Sequence, residues 1–387
     1  MATIYDLPAE IIMTIFSYCS WIDDLINFLH VNQLWRALAF QRMKWIRHLV
    51  PENRSKNLQL PSNSTTIYYN PKKTSNPKMI AMIELLKNLE TVMISSDPSP
   101  LQIADLLSML VTSRPFIKRL AIPYLPRKRR VIPFNRLEGL ALPCFFRWFS
   151  GVVMWCRDNG KFIRQLHIKS IYGRQYELLF PSFVNLRRLH VEECGGIDNF
   201  LDKFPSLEIT TLEMEIPAES YIDNLLTKFS SIKNMWLSIK KEKKFADRFP
   251  VYPSMENLVM DFETINKVDC DRIYRMRSII SSIDIVFPNL KTLAVRNHRY
   301  LTPNELFALP ANLPYLQVLD VVGCWNIDDT CISTAYDVWA AAGRNIKIYH
   351  GAWHESSNSS IGTHFMDDWF FRDFKTLPYF MESLDSI

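Results

Sequence analysis

The chain is 387 residues long, 48% hydrophobic and 22% charged, with a net charge of +5. That length allows two or three modules or one long array, and the apolar content supplies a substantial core and excludes global disorder. Ten glycines argue against glycine-rich phosphate loops as a main theme, and the mild positive balance neither demands nor excludes a nucleic-acid partner.

At the N-terminus Asp6 and Glu10 interrupt the sequence before any apolar core, so no signal peptide is expected. No apolar run approaches the roughly 18 residues of a membrane span, and no membrane partner is expected. The seven cysteines are odd in number and include no CxxC pair, which argues against a disulfide framework or a zinc module. The expected compartment is reducing, cytoplasmic and/or nuclear. The sequons at Asn63 and Asn358 then read as accidental.

The first elements are helical. Pro8 followed by Glu10 reads as a first turn. Ile11, Ile12, Ile15, Phe16 and Cys19 then form a stripe, with Met13 beside it, wider than the roughly 100° a surface helix buries. Ser20 with Asp23 fits a capping box opening a second helix with Leu25, Phe28 and Leu29. Asn32 starts a third, carrying Trp35, Leu38 and Ala39, and Trp45, Ile46 and Leu49 extend the apolar series to Pro51. Three short helices cannot cover this much apolar surface among themselves. The excess packs on the rest of the chain or on a partner.

The series Leu7-Pro8, Glu10-Ile11, Ile15-Phe16, Leu25, Val31-Asn32, Trp35-Arg36 resembles the F-box, over roughly residues 4–48. The resemblance implies docking onto a Skp-type adaptor of a cullin-RING ubiquitin ligase. It implies that Leu7, Pro8, Ile11, Ile15, Phe16, Leu25, Val31 and Trp35 carry adaptor binding. Residues 1–48 are thus expected to form this module. Residues 49–80, polar and rich in Pro, Asn and Ser, are expected to be a linker or an irregular first repeat.

From about residue 81 to 350 one pattern recurs, with apolar residues at positions 1, 4 and 6 of each unit. Leu89, Val92 and Ile94 begin it in "LKNLETVMI". It returns in "FIKRLAI", "RLEGLAL", "FIRQLHI", "NLRRLHVEEC", "EITTLEM", "SIKNMWL", "SMENLVM" and "NLKTLAV". "YLQVLDVVGC" closes it with Leu316, Leu319, Val321 and Cys324. Alternation at positions 4 and 6 marks strands, and stacked strands need one another to complete pairing. Helical stretches such as Tyr221 to Phe229 run between them. The array resembles the cysteine-containing leucine-rich repeat, with Cys194 and Cys324 placed to bond turn backbone and "GCWNIDDTCIS" nearest the consensus. The fold expected is α/β: an N-terminal three-helix F-box, then a curved leucine-rich-repeat solenoid with a parallel sheet on its concave face. Residues 351–387, with Trp369, Phe370 and Phe374, are suited to cap the last repeat.

Motifs for catalysis are missing: there is no GxGxxG, P-loop, GxSxG or HExxH. His350 and His354 stand i, i+4, near His364, Asp367 and Asp368, but Gly351 and a Ser/Asn loop argue against one helix holding a metal. No metal, cofactor or catalytic residue is expected. Cys19 and Cys156 read as core thiols. From Arg114 to Arg136 eight basic residues occur with no acid among them, including "PRKRR", which reads as an import signal, an acidic-partner contact or a solvated loop. "KKEKK" from Lys240 to Lys244 reads as a loop.

The resemblance therefore implies a non-enzymatic substrate-recognition subunit of a Skp–cullin–F-box ubiquitin ligase, with an unknown protein substrate held by the repeats. Nucleic acid is the less favoured partner. The rival reading is a leucine-rich-repeat scaffold or a nucleic-acid binder using the basic 114–136 segment, outside any ligase. Side chains at positions 3, 5 and 7 should point away from the repeat core, onto an open face. That places His167, Arg188, His190, Glu213, Trp236, Asp261 and Arg296 as substrate-binding candidates. A one-residue slip would turn Trp236 inward.

Overall fold

The computed structural model describes residues 7–51, 65–94, 100–113, 117–122, 134, 136–142, 149–172, 179–195, 207–216, 222–239, 250–262, 282–298 and 301–351. Outside them lie the expected C-terminal cap, "PRKRR", "KKEKK", the sequons at Asn63 and Asn358 and the group from His354 to Asp368. The chain divides into two compact units, one built on residues up to Ile168 with Pro181–Asn185, the other on Lys169–Phe180 and the residues from Leu186 onward.

The first unit begins with three helices: α1 (Ala9–Ser17), α2 (Ile22–Phe28) and α3 (Gln33–Met43). Pro8 N-caps α1 in an extended conformation, and Asn32 caps α3 by accepting from Trp35 N at 2.8 Å. Ser20 does not cap α2 as expected. Trp21 occupies the cap position without a side-chain bond, because the backbone there is used elsewhere: Ser20 O accepts from Tyr68 N at 2.8 Å. The helices close around aromatic rings. Phe16 stacks on Phe28 at 4.5 Å, and Trp35 meets the two edge-on at 5.3 and 5.2 Å. Arg42, fully buried, donates through Nε to Phe16 O at 3.2 Å.

The strands follow at once: β1 (His48–Pro51), β2 (Thr66–Tyr69), β3 (Thr91–Met93), β4 (Arg119–Ala121), β5 (Gly139–Leu142) and β6 (Gln165–Tyr172). Between them run α4 (Asn76–Leu85), α5 (Pro100–Ser113) and α6 (Phe149–Asn159). The order is β6-β5-β4-β3-β1-β2, all parallel, with β2 last. Leu49, Ile67, Val92, Leu120, Leu140 and Leu166 form one fully buried row. On the opposite face Val50, Met93, Ala121 and Ala141 make a second buried cluster with Tyr68 against it.

Ile46 and Leu49 thus belong to a strand frame rather than to the third helix, and residues 48–51, 66–69 and 76–85 are structured where a linker or irregular repeat was expected. The helices are joined to the sheet directly. Trp21 forms a parallel bridge with Tyr68, Lys78 Nζ lies 2.6 Å from Asp23 Oδ1, and Asn88 Nδ2 donates to Lys44 O at 2.7 Å.

In the second unit the strands are β7 (Arg188–Gly195), β8 (Thr211–Ile216), β9 (Asn234–Ile239), β10 (Asn257–Phe262), β11 (Thr292–Arg296), β12 (Val318–Asp320) and β13 (Lys347–Tyr349). Its helices are α7 (Ile222–Lys228), α8 (Ile283–Val286), α9 (Pro303–Asn312) and α10 (Asp329–Ala341). Strands pair in chain order, all parallel. Position 4 of the repeat aligns in register as Leu189, Leu212, Met235, Leu258, Leu293 and Leu319, each fully buried. Burial of such a side chain stabilises by about 1.5–3 kcal/mol before entropy is counted, so this row and its position-6 neighbours hold the unit together.

Turns and caps fix the helices between strands. Thr302 and Glu305 form a reciprocal capping box on α9. Asp328 caps α10 by accepting from Cys331 N at 2.8 Å. Cys324 is buried and donates through its thiol to Val295 O at 3.0 Å, a carbonyl of strand β11 rather than of a turn as expected, and burial pushes its thiol up to about 12. Gly323 beside it has φ +76°, and a Cβ there would lie 2.2 Å from Asn297 Oδ1, so only glycine fits.

Candidate functional site

Two of the expected surfaces can be built from their residues. The first is the outer side of α1 to α3. Ile11, Ile15 and Tyr18, at i, i+4 and i+7, run along one side of α1 and are 48, 38 and 77% exposed. Val31 and Leu34, around the start of α3, are 42 and 44% exposed. Pro8 is exposed and Leu7 half-buried. The eight residues named from the sequence therefore separate by depth. Leu7, Pro8, Ile11, Ile15 and Val31 reach the surface, whereas Phe16, Leu25 and Trp35 are buried in the interior of the three helices. The latter fix how the helices cross and so where the outer row stands. Tyr18 and Leu34 were not singled out in the sequence, although Tyr18 stands at i+3 from Ile15 and i+7 from Ile11, on the same helix face.

Seven of the fifteen large apolar side chains exposed among the described residues fall between Ile11 and Trp45. Isolated exposed apolar residues need no explanation, but a concentration of them marks an interaction surface.

The second surface is the sheet face carrying positions 3, 5 and 7. Alternation holds there: Glu213 lies opposite His190 and Trp236, and Asp261 opposite Arg296. Exposure does not. Arg188, His190, Glu213, Trp236, Asp261 and Arg296 in the second unit, and His167 in the first, are all buried, Trp236 at 6%. These side chains are not on an open face as expected, and the charges among them pair with one another. Arg188 donates to Glu213 Oε1 and His190 Nδ1 lies 2.9 Å from Glu213 Oε2. Arg296 donates twice to Asp320 Oδ2, at 2.9 and 2.6 Å, and its guanidinium sits 5.3 Å from the Trp236 ring centre. Asn297 Nδ2 donates to Asp261 Oδ1 at 2.8 Å. Nearer the strand starts, Asn257 donates to Asn234 at 2.7 Å and Asn234 to Thr211 at 3.2 Å.

Burial alone would raise the Glu213 carboxyl, but Arg188 and His190 outweigh it and hold the group below the usual carboxylate range. This face is a polar ladder joining neighbouring strands across separations of 23 to 36 residues.

His48 and His298 are interior. Burial first, then Arg119 and Arg47, press His48 down to about 4, and burial alone does the same to His298. Cys156 is fully buried and its thiol is pushed up by burial, whereas Cys19 is half-buried rather than core. Among the described residues no group of three or more His, Cys, Asp or Glu is placed to hold a metal, and His350 pairs with Asp329 at 3.3 Å. No helix of the described residues is long and apolar enough to cross a membrane. A scan against protein-family models finds no match, and a search of curated proteins finds none either.

Proposed function

We propose that this chain is the substrate-recognition subunit of a Skp–cullin–F-box ubiquitin ligase, with the three N-terminal helices as its F-box and the stacked strand–helix units as leucine-rich repeats. The observation that carries the reading is that Pro8, Ile11, Ile15 and Val31, where the F-box resemblance places adaptor contacts, are exposed side by side with further exposed apolar residues of the three helices. A parallel sheet whose strands return at repeat-like intervals supports the second half. In this role the chain performs no chemistry. It raises the local concentration of a target lysine near a charged ubiquitin-conjugating enzyme supplied by the cullin and RING subunits.

The test uses the full chain, because the helices are stitched to β2. Ile11→Glu with Ile15→Glu changes only exposed positions. The unaltered chain should copurify with a Skp-type adaptor. The double variant should lose at least about thirtyfold in affinity, as for central hot-spot residues, with an unchanged melting temperature. Failure of the unaltered chain to hold the adaptor, or equal binding by the variant, refutes the reading and favours a scaffold outside any ligase.

A further inference from the structure

The ends of the basic segment seen in the sequence converge in space with residues far from it. Lys118 and Arg136 join Lys44, Arg47 and Lys87 along one groove of about 730 Å³ in the first unit, whose lining also includes Leu89, Glu90 and Trp45. Trp45 is 45% exposed. The size falls in the range of pockets that enclose a ligand or a short chain segment. Five cations stand around one carboxylate.

That carboxylate reports what the groove does to an anion. Glu90 lies between Arg47, 3.7 Å from its Oε1, and Lys118, 3.3 Å from its Oε2. The second unit repeats this arrangement with Glu256 between Lys233 at 3.7 Å and Lys291 at 2.7 Å. A cation–carboxylate–cation bridge is thus an ordinary tie between neighbouring strands in this fold. The first unit differs by what is added to it. Lys44 and Lys87 are exposed and have no carboxylate within salt-bridge reach among the described residues, and an aromatic side chain stands beside them.

We propose that this groove binds an acidic, carboxylate-bearing peptide segment of a partner protein, with an apolar side chain of that segment against Trp45. Charge complementarity selects the class. Lysine ammonium groups and Arg47 offer point contacts spread along the groove, suited to several separate carboxylates. Glu90 in the lining opposes an unbroken phosphodiester backbone, which would have to pass close to it. The inference deepens the ligase reading by giving the class of segment such a receptor would hold. Peptide binding is measured on the chain alone, so it can succeed or fail independently of adaptor capture.

The probe is a fluorescent decamer of glutamates interrupted by one leucine, titrated by anisotropy against the full chain at low salt. A neutral serine–leucine decamer and an oligouridine of the same length are run beside it. The acidic decamer should bind and the neutral one should not, with affinity falling as salt rises. Lys44→Ala with Lys87→Ala should weaken binding about fivefold or more, two exposed charge contacts acting together. Glu90→Gln should strengthen it severalfold by removing the resident competitor, a gain that a purely structural bridge would not produce. Lys291→Ala, in the equivalent bridge of the second unit, should change nothing. Equal binding of acidic and neutral decamers, or insensitivity to both groove variants, overturns the proposal. Tighter binding of oligouridine that follows the same substitutions overturns the peptide class in favour of nucleic acid.

Discussion

Replacing Glu213 by Gln isolates the value of the buried ladder. The substitution keeps shape and removes one charge. In the folded chain Glu213 accepts from the Arg188 guanidinium and sits 2.9 Å from His190 Nδ1, all three side chains being buried. After the change, Arg188 keeps its charge at 3% exposure and loses the carboxylate that offsets it. Breaking one side of a buried pair costs about 3–5 kcal/mol, because the surviving ion is left under-compensated. Against a typical stability of about 5–15 kcal/mol this is a large fraction. Urea unfolding followed by circular dichroism should show the midpoint fall sharply at pH 7. The double variant Arg188→Met with Glu213→Leu should recover much of the loss, since an apolar pair of similar volume carries no desolvation cost. A Glu213→Gln loss under about 1 kcal/mol would refute the argument, showing that the Arg188 charge is compensated without this carboxylate.

Trp236→Ala should cost about 3–5 kcal/mol in the same assay, as for a buried aromatic truncated in a core, and a loss below 1 kcal/mol would restore the open-face reading. Acid should destabilise the chain well above the carboxylate range. His48 and His298 have folded values near 4 against an ordinary value of 6.5, so the unfolded chain takes up protons first as pH falls. Their contribution is complete above about 6.5 and lost on the way to 4, about 2 kcal/mol for each histidine between pH 7 and 5. His298→Phe should flatten that slope in unfolding measurements from pH 7 to 5, and an unchanged slope would count against the burial argument.

Legibility in the sequence followed the physics of each signal. Positions 1, 4 and 6 located ten strands because leucine spacing repeats what parallel stacking requires. The strand at His48–Pro51 escaped because Ile46 and Leu49 stand three apart, a separation shared by a helix face and by this repeat frame. The strand at Lys347–Tyr349 escaped because Asn345 and His350 occupy positions 1 and 6, leaving Ile348 alone to mark it. Alternation correctly sent Trp236 and Glu213 to the face opposite the leucines. Depth was not legible there. Alternation states which way a side chain points, and Arg188 pairing with Glu213 from a strand 25 residues away is a long-range choice. The groove was half legible. The basic run was visible, but Lys44 and Lys87 reach it only through the fold. The Thr302–Glu305 box was a readable signal that periodicity overshadowed.

The junction between the helices and β2 has a consequence for solubility. The last strand of a parallel sheet presents a row of unpaired amides and carbonyls, a template on which a second copy can add its own strand. Here Ser20 takes the amide proton of Tyr68, and Trp21 bridges the same residue. The helical module acts as a stopper on the sheet's growing end. Losing it would turn a closed boundary into an adhesive one, so a truncated chain would self-associate through β2 before its leucine core gave way.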